Sequence, residues 1–337
     1  MKSAHRRPPT RQRGFGLVEM MVALALGLLV VGGACVLLIG TKQANGSTEN
    51  LSRMQESART SYDLVTREVR EAGGTPCDAQ LPSANVLNNA QGAAPTWWAA
   101  WGEPLHGYAA ATAFPGAAIG AAVAERVAGT EALLVRYAPA IDNLAVSAHD
   151  AVNAQFTTNR LNHGLVAGDL VMVCNYRQAS AMHVTSVNLG AGTFMHVDAV
   201  GVPGNCSKGL GIPTSCATPT GTTYQFQAGS LIGRLTAVGW YIGNNGRPAT
   251  GGRSLYRATR LGPEEVAEGV RDMQLRYLLS DGTAYVAAAA VADWTQVLAV
   301  RLDLTFESPD AGINTNAAAT RLTRTVGFTV NLRNLQP

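Results

Sequence analysis

From Phe15 to Ile39 the chain reads FGLVEMMVALALGLLVVGGACVLLI, twenty-five residues that carry one charge, Glu19. No other feature limits the fold so strongly. As a helix rising about 1.5 Å per residue, the run reaches about 37 Å, enough to cross a hydrocarbon core of about 30 Å. Its flanks give it a direction. Lys2, Arg6, Arg7, Arg11 and Arg13 precede Gly14 with no acid among them, and only Lys42 follows closely. By the positive-inside rule the N-terminus is cytoplasmic and the remainder is exported.

Three ordinary readings of this segment compete. A secretory signal has an apolar region of about 7 to 15 residues and a small-residue cleavage site; this run is longer and holds a carboxylate near its start. A lipoprotein signal would place Cys35 just after its cut, yet Gly32 stands where a bulky apolar residue is needed. A plain signal anchor treats Glu19 as an accident near the interface, where a carboxylate costs less than at the bilayer centre.

Composition narrows the class. With 47% hydrophobic residues among 337, the chain is no disordered polymer, and a single long apolar run excludes a polytopic membrane protein. Charged residues are 15%, below the roughly 25% of ordinary soluble domains, which leaves a surface of Gly, Ala, Ser, Thr and Asn. The net charge of +3 belongs to the N-terminal stretch. Without its first fourteen residues the chain has 26 − 5 = 21 bases against 23 acids, about −2. No basic stripe on a folded domain points to nucleic acid, which stays open as a partner.

A fourth reading of the N-terminus accounts for more residues together. Arg13-Gly14-Phe15-Gly16-Leu17-Val18-Glu19 joins a basic leader, a Gly, a Phe and an acid five places into the apolar run. This resembles the class III signal of type IV prepilins and pseudopilins. The resemblance implies cleavage by a prepilin peptidase between Gly14 and Phe15, N-methylation of Phe15, and an assembly role for Glu19. A carboxylate in apolar surroundings must neutralise or find a cation. In the pilin family it pairs with the N-terminal amine of a neighbouring subunit.

Beyond Gly40 the chain turns polar and then resumes helical periodicity. Leu51, Met54, Ala58, Tyr62, Val65, Val69 and Ala72 fall on one face, while Arg53, Glu56, Arg59, Asp63, Arg67, Arg70 and Glu71 occupy the others. Asp63 to Arg67 and Arg67 to Glu71 have i,i+4 spacing. Gly73-Gly74 and Pro76 end the helix. No proline lies between Phe15 and Pro76, so both helical stretches can join in one rod; Gly27, Gly32 and Gly33 stand in its apolar half. The expected organisation is a leader at 1–14, a membrane or filament-core helix at 15–40, an amphipathic periplasmic helix at 41–73 and a β-rich head at 74–337.

Within the head, Glu131 to Tyr137, Asp169 to Tyr176, His183 to Asn188, Thr193 to Val200, Arg234 to Ile242, Val270 to Leu278, Val297 to Phe306 and Thr323 to Leu332 read as strands. Leu298, Val300, Leu302, Leu304 and Phe306 alternate with polar or small residues, one face buried and one wet. Val326 to Leu332 repeats the pattern after a polar connection, which suggests a hairpin. Ala109 to Ala128 reads as a short helix or an irregular loop, and Gly201 to Gly229 and Gly243 to Gly252 as loops. The fold class is α+β: a long N-terminal pilin helix packed on an antiparallel β-sheet head.

Cys35 lies in the apolar run, leaving Cys77, Cys174, Cys206 and Cys216 for an oxidising compartment. Three connectivities are open. The favoured pairing is Cys206–Cys216, which closes a short Gly/Pro-rich loop, with Cys77–Cys174, which ties the helix end to a strand and closes a loop worth about 4 to 5 kcal/mol in the chain-entropy model. No CxxC pair supports zinc, and nothing calls for a metal or a cofactor. G-x-S-x-G, H-E-x-x-H and the phosphate-binding Gly motifs are missing, so the expectation is no enzyme. His183 and His196 could face each other across strands. Trp97, Trp98 and Trp101 suit core packing, a subunit contact or sugar stacking.

The likeness narrows with REVREAGGTPC (Arg67 to Cys77), GDLVMVC (Gly168 to Cys174), Leu255-Tyr256-Arg257, GVRDMQLRY (Gly269 to Tyr277), WTQVLAVRL (Trp294 to Leu302) and FTVNLRN (Phe328 to Asn334). Together these resemble PilW-type minor pilins of type IV pili. The family implies a low-abundance subunit that primes pilus assembly at or near the tip and supports twitching motility, adhesion and sometimes DNA uptake. Its implied partners are other minor pilins, the major pilin, a tip adhesin, prepilin peptidase and the inner-membrane assembly platform. Its implied location is the inner membrane with a periplasmic head, and then the pilus. A J-type minor pseudopilin of type II secretion shares the leader and Glu19 but usually has a smaller head.

Overall fold

The computed structural model describes residues 16–78, 80–87, 96–99, 101, 103–198, 203–311 and 320–335. Two compact units are separated at Ser52 and Arg53. One helix, α1 (Leu17–Glu71), contributes its apolar stretch to the first unit and its amphipathic end to the second. The polar stretch after Gly40 stays helical. Thr41, Thr48 and Asn50 turn their side chains back onto the carbonyls of Leu37, Ala44 and Gly46 at 2.8, 3.0 and 2.8 Å, so they support the ladder instead of leaving it.

At its end α1 is sealed from both sides. Gly73 adopts φ +73°, the left-handed conformation that closes helices without a Cβ clash, and the Gly74 amide bonds the Glu71 carbonyl at 2.7 Å. The Asn334 side-chain amide donates to the carbonyl of Ala72 at 3.2 Å, with the Glu71 carbonyl at 3.4 Å. Gly73 also donates to the Arg136 carbonyl at 2.9 Å, fastening the exit to the sheet.

The second unit holds three sheets. Five strands, β2 (Leu105–Tyr108), β3 (Ala132–Tyr137), β11 (Thr236–Asn244), β12 (Arg253–Thr259) and β13 (Gly262–Glu268), pair in the order β13-β12-β11-β3-β2. A second sheet runs β14 (Val270–Leu279), β15 (Val297–Ala311), β16 (Arg321–Asn331). The third takes β1 (Ser83–Asn85), β4 (Ala140–Asp150), β5 (Gln155–Thr158), β6 (Leu170–Cys174), β7 (Ala179–His183), β8 (Ser186–Asn188), β9 (Thr193–Met195) and β10 (Leu231–Arg234) in the order β1-β7-β6-β10-β4-β5-β9-β8. All pairings are antiparallel except β1 with β7. The class is α+β.

Two large cores and two smaller apolar clusters fill this unit. Met54, Val65, Val69 and Ala72 of α1 are buried with Leu133, Trp240, Leu255, Met273, Leu302 and their neighbours from the five- and three-stranded sheets. The Tyr62 ring meets Phe328 edge-on at 5.1 Å. A separate core of Phe156, Phe194, Phe226, Val171, Val173 and Ile232 lies inside the eight-stranded sheet.

Several sequence expectations change. His183 to Asn188 is split into β7 and β8, because the amides of Val184 and Thr185 turn to the carbonyls of Asp169 and Met195. Strands β4, β5, β12 and β13 carried no clear apolar alternation; β13 is an edge strand rich in Glu. Ala109 to Ala128 forms no helix. It wraps around the buried Arg126, whose guanidinium donates to the carbonyls of Thr112 and Ala109 at 2.8 and 2.9 Å and of Thr130 at 3.1 Å. Asp63 pairs with Arg59 at 3.8 Å rather than with Arg67.

Glu68 is the helix's polar anchor. It sits in the apolar stripe between Val65 and Val69, and its Oε1 accepts from Arg257 Nη2 at 2.7 Å and Nε at 2.8 Å. The Glu68 side chain is 5% exposed, and Arg257 also reaches Glu264, which is 54% exposed, at 3.1 Å. Removing the guanidinium strands a buried carboxylate. Arg257→Ala is therefore expected to cost the head about 3 to 5 kcal/mol, read as a lower urea midpoint, whereas Glu264→Ala is expected to cost under about 1 kcal/mol. Equal losses from both would show that the Glu68 pair does not anchor the helix.

Candidate functional site

The first turn of α1 presents the acid singled out in the sequence. The Glu19 Oε2 accepts the Gly16 amide at 3.0 Å, and Glu19 is exposed. The contact occupies one of the first-turn amides that a helix leaves without an intrahelical partner. Gly14 and Phe15, the expected cleavage site, lie outside the described residues.

From Leu17 to Ile39 every large apolar side chain points outward, with Leu17 at 78% and Leu37 at 73% exposure. Twenty-three helical residues span about 34 Å. Among the described residues α1 is the one helix long and apolar enough to cross a membrane. Gly27, Gly32 and Gly33 have no atom within 4 Å of a Cβ placed on them, so nothing among the described residues fills the notches they make. Cys35 is an exposed free thiol on the same stretch. Such a surface calls for lipid or for apolar helices from other subunits.

Within the head, Cys77 is bonded to Cys174 and Cys206 to Cys216. The first bond joins the segment after α1 to β6, beside a small apolar cluster of Leu87, Ala138, Leu170 and Met172, with Trp98 and Trp101 packed on it. Trp97 packs with Phe114 and Tyr241 instead, and Arg260 stacks over Trp98 at 5.3 Å. The three tryptophans are half-buried, each packed against a cluster of this chain. Arg136, 5% exposed, holds their segment by donating to the Trp97 carbonyl at 3.0 Å. Tyr137 neighbours the Glu68–Arg257 pair, and burial, then Glu68, push its hydroxyl up to about 12.

His183 does not meet His196. The partner of His196 is His149, Nε2 to Nε2 at 3.1 Å, and His149 stacks flat on Phe156 at 3.9 Å. His149 Nδ1 accepts the Phe226 amide at 3.1 Å, so a neutral His149 carries its proton on Nε2 and donates it to His196. Burial pushes His149 down to about 4 and His196 down to about 3; the nearby charges are Asp150 and Lys208. No group of three or more His, Cys, Asp or Glu among the described residues is placed to hold a metal ion. What sequence reasoning missed here is Glu68, Arg126, Arg136 and the His149 pairing. Only Glu68 left a signal, as an acid inside an apolar stripe.

The histidine pair has a pH signature. The unfolded chain binds a proton near pH 6.5, while buried His149 does so only near pH 4. Below about pH 6.5 the unfolded state therefore holds more protons, and stability falls as pH falls. A shift of this size is worth about 2 to 3 kcal/mol by pH 4. Urea unfolding of the head at a series of pH values is expected to show this decline, and a His149→Gln/His196→Gln chain to show a shallower one. An equal slope in both chains would assign the decline to other groups.

Residues 9–34 match the family described as Prokaryotic N-terminal methylation motif, which takes in Gly14, Phe15 and Glu19. Residues 240–334 match Type IV Pilus-assembly protein W, a stretch that covers most of β11 and all of β12 to β16. No curated protein and no solved structure matches the chain. With a pilin-like methylation motif at one end and a PilW region at the other, the chain is similar to PilW-type minor pilins, membrane-anchored proteins with a role in type IV pilus assembly.

Proposed function

We propose that this protein is a minor pilin that primes type IV pilus assembly, sits at or near the pilus tip, and acts as a structural subunit rather than an enzyme. The observation that carries the reading is the outward-facing apolar helix led by Glu19, within the stretch that matches the methylation motif. In this reading prepilin peptidase cuts between Gly14 and Phe15, and Phe15 is methylated. The helix is held in the inner membrane with its N-terminus cytoplasmic and its head periplasmic, and then passes through the assembly platform into the filament core. There the Glu19 carboxylate meets the new amine of a neighbouring pilin, exchanging the Gly16 contact for an intermolecular one. Other minor pilins, the major pilin and a tip adhesin are its partners, and the pilus it helps to start supports twitching motility and adhesion. DNA uptake is a further role open to such a pilus.

Glu19→Ala tests the reading without touching the head core. Crosslinking of this chain to other pilins is expected to fall about tenfold or more, the effect of losing a contact worth at least about 1.4 kcal/mol. Head unfolding should stay unchanged. N-terminal sequencing of the membrane-extracted protein is expected to begin at methylated Phe15. Wild-type crosslinking and piliation in the variant would overturn the role given to Glu19, and a mature chain beginning at Met1 would overturn the pilin reading.

A further inference from the structure

In the five-stranded sheet, β3 and β11 are antiparallel neighbours, and Tyr137 stands directly opposite Thr236. Two strands in that register can be joined by a two-residue turn. Here 98 residues, 138 through 235, stand in the place of that turn. Within them lie β4 to β10, and none of these strands pairs with β2, β3 or β11 to β16. Their core of Phe156, Phe194 and Phe226 shares no residue with the core that buries α1. The Cys206–Cys216 bond is also internal to the stretch. The chain leaves the sheet at Ala138 and returns at Leu235, two residues that lie in the same small seam. The segment after α1 crosses as well, through the Cys77–Cys174 bond, the pairing of β1 with β7 and Val86, which is buried in the Phe156 core. Both stretches matched by known families, 9–34 and 240–334, fall outside these 98 residues.

We propose that residues 138–235 are a separately folding module seated in the turn of one hairpin, and that the remaining frame of α1 and the five- and three-stranded sheets carries pilus assembly without it. A hairpin turn is where a compact insert disturbs its host least, because the host strands already hold their register. The frame keeps the whole docking apparatus of the helix: Glu68 with Arg257, the Asn334 cap, and the Gly73 bond to Arg136. The module keeps the histidine pair. The second half of the proposal rests on the assembly role proposed above.

Two measurements on the full chain test it. In native-state hydrogen exchange under mild denaturant, amides of β4 to β10 and amides of β11 to β16 are expected to exchange through different openings, with rates about tenfold or more apart. One common opening for both sets overturns the module. For assembly, a chain in which Asn-Gly replaces residues 138–235, with Cys77→Ser, is expressed in cells lacking the native gene. A second chain, full-length with Phe194→Ala, loosens the module core alone. Both are expected to restore surface pili as the wild-type chain does. Loss of pili with the Phe194→Ala chain, while its frame amides remain protected, overturns the separation of assembly from the module. Failure of the wild-type chain itself to restore pili would instead sink the assembly role.

Discussion

Twenty-three residues of helix with every large side chain turned outward cannot rest in water, and this constraint governs the molecule. The backbone of that stretch is satisfied internally, so the unmet demand is for apolar contact alone, and lipid and neighbouring helices supply it equally well. A segment that accepts both environments can leave one for the other. The single carboxylate of that stretch is placed where the helix itself offers a partner, the Gly16 amide of the first turn. The Gly16 contact is local, between residues three apart, and exposed.

The other end of the helix obeys a different rule. Val65, Val69 and Ala72 give it an apolar stripe, but a stripe alone tolerates sliding and rotation. The Glu68–Arg257 pair resists both, since the Glu68 carboxylate is buried and Arg257 is the guanidinium that meets it. With Asn334 and Gly73 fixing the last turn, the helix end is set in azimuth, depth and exit direction. Arg257 itself is braced by Glu264 on the adjacent edge strand, so the five-stranded sheet is tied to α1 by a relay of side chains as well as by packing.

What could be read from sequence followed periodicity. The apolar run, the amphipathic helix and the β15–β16 alternation all carry strong patterns, and in each case one face is dry. The eight-stranded sheet was harder. Its strand β4 mixes Ala, Ser, Asn and Asp with Ile141, Leu144, Val146 and His149, with burial at scattered positions, and β1 joins a parallel partner far along the chain. Such strands are made by their neighbours rather than by their own residues. The same holds for polar anchors. Arg126 and Arg136 bond backbone carbonyls, which carry no sequence identity, so no pattern of acids marks them. His149 and His196 meet because β4 reaches the ring that follows β9 through β5, a relation of topology and not of spacing.

Arg126 and Arg136 have one more consequence. A guanidinium bound to a carboxylate loses its grip when the carboxylate takes up a proton or when salt screens the pair. These two are fastened to peptide oxygens, which do neither. The 109–128 loop and the tryptophan segment are thus latched by bonds indifferent to acidity and ionic strength, so their grip does not follow the pH and salt of the surroundings.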